Sequence, residues 1–268
     1  MWNRNRPGPE RAPGMRTGAA ETIRKPWPEA LIWDVDGTLV DNEEMHRSAF
    51  NRAFSNNNLP WQWDRELYAE LMHVTGGKER IRHYIELLNV GGAGIDTSDD
   101  FVKAIHADKI ELYTAMLRSL PVPLRPGVRH ILREAQARGI QLAIATTSCR
   151  INVLTLLERT LAKENLHWRA IITGDDVQEK KPSPEVYLLA LEILGLPPEA
   201  CLAVEDSPVG LAAAKAAGIK TVVITNQYTF KEDFSNAYAV YFQLGEHNDS
   251  FPVLLGAAPG SRICRNSS

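Results

Sequence analysis

Three aspartates, Asp34, Asp36 and Asp41, fall within eight residues of LIWDVDGTLVDNEE, directly behind an apolar run. Carboxylates this close repel one another, and the crowding is unfavourable unless a cation or bound protons relieve it. A second acidic pair, Glu205 and Asp206, ends another apolar run in ACLAVEDS. A turn alone would explain the first group, because Asp and Gly favour turns, but not the second pair. The two groups together indicate metal binding, acid/base chemistry, or both.

Two known loop types do not fit these segments. A calcium-binding loop would need a later glycine and a third acidic residue, whereas Gly37 comes two residues early and Thr38 fills the third acidic position. The segment TGGKER has a Gly-Lys pair, but no glycine precedes it at the spacing of a nucleotide-binding phosphate loop, and neither Ser nor Thr follows Lys78. Both interpretations are therefore excluded.

Apolar runs that alternate with helical segments indicate the fold that positions the acids. The runs are ALIWDVDG, QLAIATTS, RAIITGDDV, ACLAVEDS and KTVVITN. The alternation predicts an α/β fold with a Rossmann-like parallel-sheet core and right-handed crossovers. Ligands of such sheets bind beyond the carboxyl ends of the strands, so the acids should meet there with the hydroxyls of Thr146, Thr147 and Ser148. Oxygen ligands without Cys or His favour a hard divalent ion such as Mg²⁺.

The chain divides into a core and an insert. Residues 43–120 show helical apolar spacing without strand-like alternation, which predicts an inserted all-helical cap within a core formed by residues 30–42 and 121–255. Residues 1–29 are rich in Arg, Pro and Gly and should be disordered or loosely attached, and residues 256–268 should form a flexible tail. The extension is either non-functional or a targeting segment, although its glutamates and prolines argue against a targeting helix.

Composition and charge exclude several classes of protein. The 268 residues carry a formal net charge of −3, so nucleic acid is not an expected partner. The dispersed cysteines Cys149, Cys201 and Cys264 form no disulfide framework and indicate a reducing compartment. No apolar run is long enough to span a membrane. We expect a cytoplasmic monomer, with the plastid stroma as the alternative compartment if the extension is a targeting segment.

Four motifs in order, DVDGTLVD, ATTS, KKPSP and VEDS, resemble those of the haloacid dehalogenase-like superfamily. The segments HRSAFNRAF and WQWDRELYAELMHVTGGKERI resemble, in addition, the CbbY branch of that superfamily. The resemblance implies a Mg²⁺-dependent phosphatase with a sugar phosphate as its small-molecule partner. It implies the hydrolysis of xylulose-1,5-bisphosphate, an inhibitory by-product of Rubisco in the Calvin cycle, to xylulose 5-phosphate and phosphate.

The resemblance also implies roles for the core motifs. Asp34 would be the nucleophile that becomes an aspartyl phosphate. Asp36 would be the general acid and base, protonated when the substrate binds because neighbouring carboxylates raise its pKa. Thr146 would donate a hydrogen bond to the transferring phosphoryl group. Lys181 would neutralise that group, although the adjacent Lys180 competes for this role.

The implied metal site combines carboxylates from two motifs. Asp34 and Asp206 would bind Mg²⁺ through their side chains, and Asp36 through its backbone carbonyl. Glu205 would be either a further ligand or a residue that orients its neighbours. Asp41 is expected to cap the following helix instead.

The cap would supply the substrate-binding residues. Glu43 and His46 are three residues apart and share one helix face, which the resemblance directs into the site; an ordinary packed histidine is the alternative for His46. The segment Gly76, Gly77, Lys78 and Arg80 would clamp a second phosphate through backbone N–H groups and positive charge, with a solvated turn as the alternative. Thr147 and Ser148 would also contact the substrate.

Other aromatic residues and other functions remain as alternatives. Trp61, Trp63 and Tyr68 are expected in the packed interior of the cap rather than in the substrate cleft. The nearest alternative function is a phosphomutase that resembles β-phosphoglucomutase, which returns the phosphoryl group to a sugar. A catalytically inactive regulator that binds sugar phosphates is a second alternative, but such a protein has little need of Asp36.

Overall fold

Six parallel strands form one sheet in the part of the chain that the computed structural model describes, residues 27–88 and 97–244. They are β1 (Ala30–Trp33), β2 (Gln141–Ala145), β3 (Trp168–Ile172), β4 (Cys201–Glu205), β5 (Lys220–Ile224) and β6 (Ala239–Tyr241). Their order in space is β3-β2-β1-β4-β5-β6, and each neighbouring pair is parallel. The predicted α/β class with a Rossmann-like core is confirmed.

The central position of β1 follows from its apolar sequence. All four of its residues are buried, because helices cover both faces of a parallel sheet. Trp33 is level with Ile144 of β2 on one side and with Val204 of β4 on the other. The segments that follow these three strands therefore leave the sheet at the same side, which we call the sheet edge.

Of the described helices that lie between β1 and β2, the first four form a separate group. They are α1 (Glu43–Asn56), α2 (Arg65–Leu71), α3 (Gly77–Leu88) and α4 (Asp99–Ser119), hereafter the cap helices. Aromatic residues form a separate apolar cluster among them. Trp63 is fully buried there, with its ring centroid 4.8 Å from that of Phe54 in an edge-to-face arrangement. Trp61 and Trp63 thus lie in the cap interior, as expected, and the separate cluster supports the proposed division into core and cap.

The remaining helices cover the two faces of the sheet. They are α5 (Val128–Ala137), α6 (Arg150–Leu161), α7 (Glu185–Leu194) and α8 (Pro208–Ala216). Side chains of a strand point alternately to its two faces. Leu31 and Trp33 accordingly pack with α5 and α6, whereas Ala30 and Ile32 pack with α7 and α8. The sheet is thereby fixed between two apolar layers, which leaves its edge as the place for polar chemistry.

The prediction that Asp41 caps α1 is wrong. Asn42 occupies the N-terminal capping position, and Asp41 is exposed. The Asn42 side chain makes no capping bond either. Its oxygen accepts a hydrogen bond from the Gly37 N–H at 3.2 Å, and its amide donates to Asp36. The turn before α1 therefore supports the acidic loop rather than the helix.

Two further differences concern the ends of the chain. Strand β6 was not expected; it lies at the margin of the sheet, and its three residues are half-buried. The disordered or loosely attached extension was predicted over residues 1–29, of which residues 1–26 lie outside the described residues, as does the predicted flexible tail. Within the described part, the Glu29 N–H donates to the Ala200 carbonyl at 2.7 Å, and the Glu29 carbonyl accepts from the Gln141 N–H at 2.9 Å. Among the residues that are described, none of the helices has the length and hydropathy needed to cross a bilayer.

Candidate active site

The predicted site residues surround one cavity of about 310 Å³ between the sheet edge and the cap helices. Its lining includes Asp34, Asp36, Glu43, His46, Gly76, Gly77, Lys78, Arg80, Thr146, Thr147, Ser148, Lys181 and Asp206. The exception among the predicted residues is Glu205, which is buried and reaches the site through Lys181. Residues more than a hundred positions apart in sequence are thus brought together at a cleft large enough for a small phosphorylated ligand.

Lys181 occupies the centre of the site and is 3% exposed. Its Nζ donates to Asp34 Oδ1 at 2.7 Å, to the Ala145 carbonyl at 2.8 Å and to Glu205 Oε1 at 2.6 Å. These bonds use all three donors of an ammonium group. Burial lowers the pKa of Lys181, but the two carboxylates outweigh burial and raise the pKa above its ordinary value. The structure thus places Lys181, and not Lys180, beside Asp34.

Asp34, Glu205 and Asp206 form a buried cluster whose carboxylate oxygens lie within 4.8 Å of one another. Lys181 supplies a single positive charge to three carboxylates. Burial, opposed by Lys181, raises the pKa of Asp34 to about 8, and burial raises the pKa of Asp206 well above its usual range. A divalent cation would compensate the excess negative charge, and an all-oxygen donor set suits Mg²⁺. The residues present therefore fit the predicted cofactor.

Glu205 has partners that explain its burial. Its Oε1 accepts hydrogen bonds from both Lys181 and the Tyr187 hydroxyl. Tyr187 is fully buried on α7, and the Lys181 ammonium lies 5.1 Å from its ring centroid. Glu205 therefore orients Lys181, which is one of the two roles that the sequence left open. A direct bond from Glu205 to the metal stays a prediction.

Close backbone packing fixes the loop that follows β1. Gly37 has a φ of +76°, and a Cβ at this position would lie 2.1 Å from Asp206 Oδ2. Only glycine permits both the conformation and the approach. The Asn226 amide donates to the same Asp206 oxygen at 2.7 Å. Arg125, which is buried, donates to the carbonyls of Gly37 and Ile224. The loop and the Asp206 carboxylate are thus held against each other.

The expectation that neighbouring carboxylates raise the pKa of Asp36 is wrong. Burial raises this pKa, but the facing His46 and hydrogen bonds from His46, Ser148 and Asn42 together bring it below its usual range. His46 Nε2 lies 3.0 Å from Asp36 Oδ1, and the Ser148 hydroxyl donates to Oδ2. In this arrangement Asp36 is ionised. It can act as an acid only after some of these donors have been displaced.

Lys109 on α4 is a site residue that the sequence patterns did not single out. It is 4% exposed, and its Nζ lies 2.8 Å from His46 Nδ1. Because an ammonium group only donates, Nδ1 accepts the bond and the Nε2–H of His46 faces Asp36. Burial lowers the pKa of Lys109 to about 8. His46 is therefore part of a polar chain and not an ordinary packed histidine.

A helical signal for Lys109 was present in the sequence. Ile105, Lys109 and Tyr113 recur at intervals of four residues and are all buried, which is the spacing of one helix face. A lysine on such a face is unusual, because lysine is almost never fully buried without a partner. Its ammonium lies 4.8 Å from the ring centroids of both Phe50 and Tyr113, so the aromatic faces stabilise the charge.

Tyr68 links two of the predicted substrate-binding residues. Its hydroxyl donates to Glu43 Oε2 at 2.9 Å and accepts from Arg80 Nη1 at 2.9 Å. The Arg80 guanidinium also lies 5.1 Å from the Tyr68 ring centroid. Tyr68 is fully buried within the aromatic cluster of the cap helices, as expected, but it also lines the cavity. The expectation that kept it out of the cleft was therefore only partly right.

The segment from Gly76 to Arg80 is the first turn of α3 rather than a loop. The helix begins at Gly77, and the Arg80 N–H donates to the Gly76 carbonyl at 3.0 Å. A Cβ at Gly77 would lie 2.4 Å from His106 Nε2, so a larger residue at this position would have to displace the His106 ring. The first N–H groups of a helix have no partner within it and attract anions. With the half-buried Lys78 and Arg80, this turn gives the cavity a positively charged wall.

Comparison with known proteins agrees with this geometry. A family model described as haloacid dehalogenase-like hydrolase matches residues 31–224. Protein CbbY of Rhodobacter capsulatus is 46% identical over 210 residues, which cover 78% of this chain and 90% of that protein. A phosphorylated carbohydrates phosphatase of Thermotoga maritima is 32% identical over 194 residues, which cover 72% of this chain and 83% of that protein.

A solved structure shows the same similarity. The crystal structure of a CbbY variant from Rhodobacter sphaeroides in complex with xylulose-1,5-bisphosphate matches with a TM-score of 0.74 and 41% identity. The match covers 81% of this chain and 94% of that chain. The family model spans both the sheet edge and the cap helices, so the similarity includes every wall of the cavity. The chain therefore belongs to the haloacid dehalogenase-like hydrolases, as a phosphoric monoester hydrolase with CbbY proteins among its relatives.

Proposed function

We propose that this phosphatase removes one phosphate from a sugar bisphosphate, with xylulose-1,5-bisphosphate as the candidate substrate and xylulose 5-phosphate as the product. The observation that carries the proposal is that one cavity joins two anion-binding ends. Asp34 and Lys181 line it at the sheet edge, and Lys78 and Arg80 line it on the cap side. A CbbY protein that resembles this chain was crystallised with that bisphosphate, which supports the choice of sugar.

The first step forms an aspartyl phosphate. An oxygen of Asp34 attacks phosphorus, the bond from phosphorus to the sugar oxygen breaks, and a proton from Asp36 passes to that departing oxygen. Lys181, at 2.7 Å from Asp34 Oδ1, neutralises charge on the nucleophile and the phosphoryl group. Thr146 directly follows β2 and lines the cavity, so its hydroxyl is available to donate to a phosphoryl oxygen.

The acid role of Asp36 depends on the arrival of substrate. In the ligand-free arrangement Asp36 accepts hydrogen bonds from Asn42, His46 and Ser148. A sugar hydroxyl or phosphoryl oxygen that takes over the Ser148 hydroxyl would remove one of these donors and favour protonation of Asp36. Proton transfer would then be linked to the presence of a bound ligand, which limits wasteful reaction with water.

The second step releases phosphate. Asp36, having given up its proton, accepts one from the attacking water. The bond from phosphorus to the new oxygen forms as the Asp34–phosphorus bond breaks, which regenerates the Asp34 carboxylate and leaves Asp36 protonated. Asp34, Asp206 and the backbone carbonyl of Asp36 would hold Mg²⁺. The chemistry that the ion supplies when bound is neutralisation of the carboxylates and polarisation of the phosphoryl group.

The second phosphate would bind at the first turn of α3. Lys78 and Arg80 supply charge there, and the helix N–H groups supply donors. Glu43, held by Tyr68 at 2.9 Å, would accept hydrogen bonds from sugar hydroxyls. Binding energy from this remote phosphate can be spent on holding the sugar in place for the reaction at Asp34.

A phosphate-release screen tests the proposal. Purified protein with Mg²⁺ is incubated with pentulose and hexose mono- and bisphosphates, and free phosphate is measured. We expect the highest kcat/KM for a 1,5-bisphosphate of a pentulose. A preference for hexose monophosphates with the product isomer and no free phosphate would instead support the mutase alternative. Binding without any turnover would support the inactive regulator.

A further inference from the structure

The KKPSP motif contains two lysines, and the proposed reaction uses only Lys181. The other, Lys180, turns away from the acidic cluster. Its Nζ lies 3.0 Å from Glu79 Oε2, and Glu79 belongs to the first turn of α3. This ion pair therefore connects the loop that carries the phosphoryl-binding lysine to a cap helix that is far away in sequence.

A second contact lies beside the first. The Thr75 hydroxyl donates a hydrogen bond to the Lys181 carbonyl. Gly76, between the two contacts, has a φ of +93°, and a Cβ there would lie 2.1 Å from Glu79 Oε2 and 2.7 Å from Lys180 Nζ. A glycine at this position thus leaves room for the ion pair. Lys180 and Lys181, which are adjacent in the KKPSP loop, thus contact Glu79 and Thr75 at the start of α3.

The Lys180–Glu79 ion pair lies at the segment that is proposed to bind the second phosphate. Glu79 lies between Lys78 and Arg80, and all three line the cavity. The side chains of Lys180 and Glu79 are 20% and 39% exposed, so the pair is partly shielded from solvent. Burial raises the pKa of Glu79, but a bond to its own backbone N–H and the pairing with Lys180 bring it below its ordinary value. Glu79 is thus charged, and its Oε2 accepts the hydrogen bond from Lys180.

We propose that Lys180 is a positioning residue, which pairs with Glu79 to hold the first turn of α3 at a fixed place over the phosphoryl-transfer site. The pair fixes the distance between the two anion-binding ends of the cavity. It therefore favours the binding of substrates that carry two phosphates. The inference rests on the proposed function for its choice of substrate, but the ion pair itself is independent of that choice.

The kinetic test compares Lys180→Met, Glu79→Met and the double variant. If the pair positions the turn, each single variant should raise KM for the bisphosphate by about fivefold, and the double variant should be no worse than either. The kcat value and KM for a small aryl phosphate should change little. Lys180→Arg, which keeps the charge, should restore KM. Lys103→Met is the matched control, because Lys103 pairs with Asp100 on the exposed surface of α4.

One kinetic outcome would overturn the inference. If Lys180 contacts the substrate itself, Lys180→Met will raise KM while Glu79→Met leaves it unchanged, and the effects of the two changes will be additive. Thermal unfolding of each variant shows whether the fold is intact. A variant that unfolds early is replaced by Lys180→Gln or Glu79→Gln, which keep the size of the side chain.

Hydrogen exchange of the ligand-free protein gives a readout that needs no substrate. Loss of the ion pair should increase exchange in residues 74–80 and leave α1 unchanged. Unchanged exchange in that segment in both single variants would refute the inference. If the wild-type protein hydrolyses no sugar phosphate, the proposed function fails, but the exchange measurement still decides whether Lys180 holds the turn.

Discussion

The sheet edge and the cap helices build opposite walls of one cavity by different means. At the sheet edge, Asp34 follows β1 and Asp206 follows β4, and these strands are in register. On the cap side, Glu43 comes from α1 and Arg80 from α3, and hydrogen bonds to the Tyr68 hydroxyl join them. Strand register tolerates little displacement, whereas packed helices can shift together. We therefore propose that the sheet edge, hereafter the fixed wall, carries the reaction chemistry and that the cap side determines which substrate binds.

Replacing the nucleophile is the most severe test of the fixed wall. Asp34→Asn should lower kcat by on the order of 10⁴-fold or more, because no other group can form the covalent intermediate. The fold should persist, since the change removes one charge from a crowded acidic cluster. Phosphate release and thermal unfolding measure the two effects. Asp41→Asn, an exposed carboxylate in the same segment, should keep full activity.

Retention of activity in Asp34→Asn would remove the assignment of nucleophile. Loss of activity together with early unfolding would leave the chemistry unresolved by this variant, so a trapping experiment is paired with it. Wild-type protein quenched in acid during turnover of substrate labelled in the phosphate should carry label on a peptide that contains Asp34. Label only on peptides that lack Asp34 would contradict the mechanism.

Removal of divalent metal is the second test of the fixed wall. Chelation should reduce phosphate release by on the order of 10³-fold, and Mg²⁺ should restore it, because Asp34, Glu205 and Asp206 would then regain their compensating charge. Isothermal titration of the apo-protein should show one Mg²⁺ site that Asp206→Asn weakens. Full activity after exhaustive chelation, with no metal found by mass spectrometry, would contradict the assignment of the cofactor.

A third test sharpens the distinction between the walls. Arg80→Ala removes a cation that lines the cavity, and it should raise KM for a bisphosphate by about tenfold with little change in kcat. A small monophosphate ester should be affected much less. Arg82→Ala is the matched control, since Arg82 lies two residues later on α3 and pairs with the exposed Asp99. An equal rise of KM for both substrates would contradict the proposal that Arg80 binds the second phosphate.

The sequence predicted the residues of the sheet edge better than the contacts of the cap helices. Asp34, Asp36 and Asp206 could be placed together because apolar runs identify parallel strands and parallel strands end at one edge. The partners of Asp36 could not be predicted, because Lys109 reaches His46 from a helix sixty-three residues further along the chain. Helix packing brings such residues together, and helical spacing alone does not say which faces meet.

Local competition explains the errors nearer to the motif. Asp41 looked like a helix cap by residue type, but Asn42 took the capping position and its side chain was drawn to Asp36 and Gly37 instead. The pKa of Asp36 was expected to rise because acids precede and follow it in sequence. In three dimensions its nearest neighbours are donors, which depress the pKa. Sequence proximity was a poor guide to the electrostatic neighbourhood.

The smallest expected effect is a change in protein stability with pH, and it depends on His106 on the cap side. His106 is packed against Gly77 and faces Lys109, Lys180 and Lys78, and burial together with these cations lowers its pKa to about 3. Below the ordinary histidine pKa of about 6.5, the unfolded chain takes up a proton that the folded chain does not. The depressed pKa therefore costs stability increasingly as the pH falls from about 6.5 towards 3, and costs none above it.

His106→Gln removes this titration and keeps a polar side chain. Between pH 7 and pH 5, the unfolding free energy of the variant should improve relative to wild type by on the order of 1 kcal/mol. Urea unfolding at the two pH values measures the change, with His83→Gln on the outer side of α3 as the reference. A gap between variant and wild type that stays constant with pH would show that burial and the neighbouring cations do not lower the pKa of His106 in the folded protein.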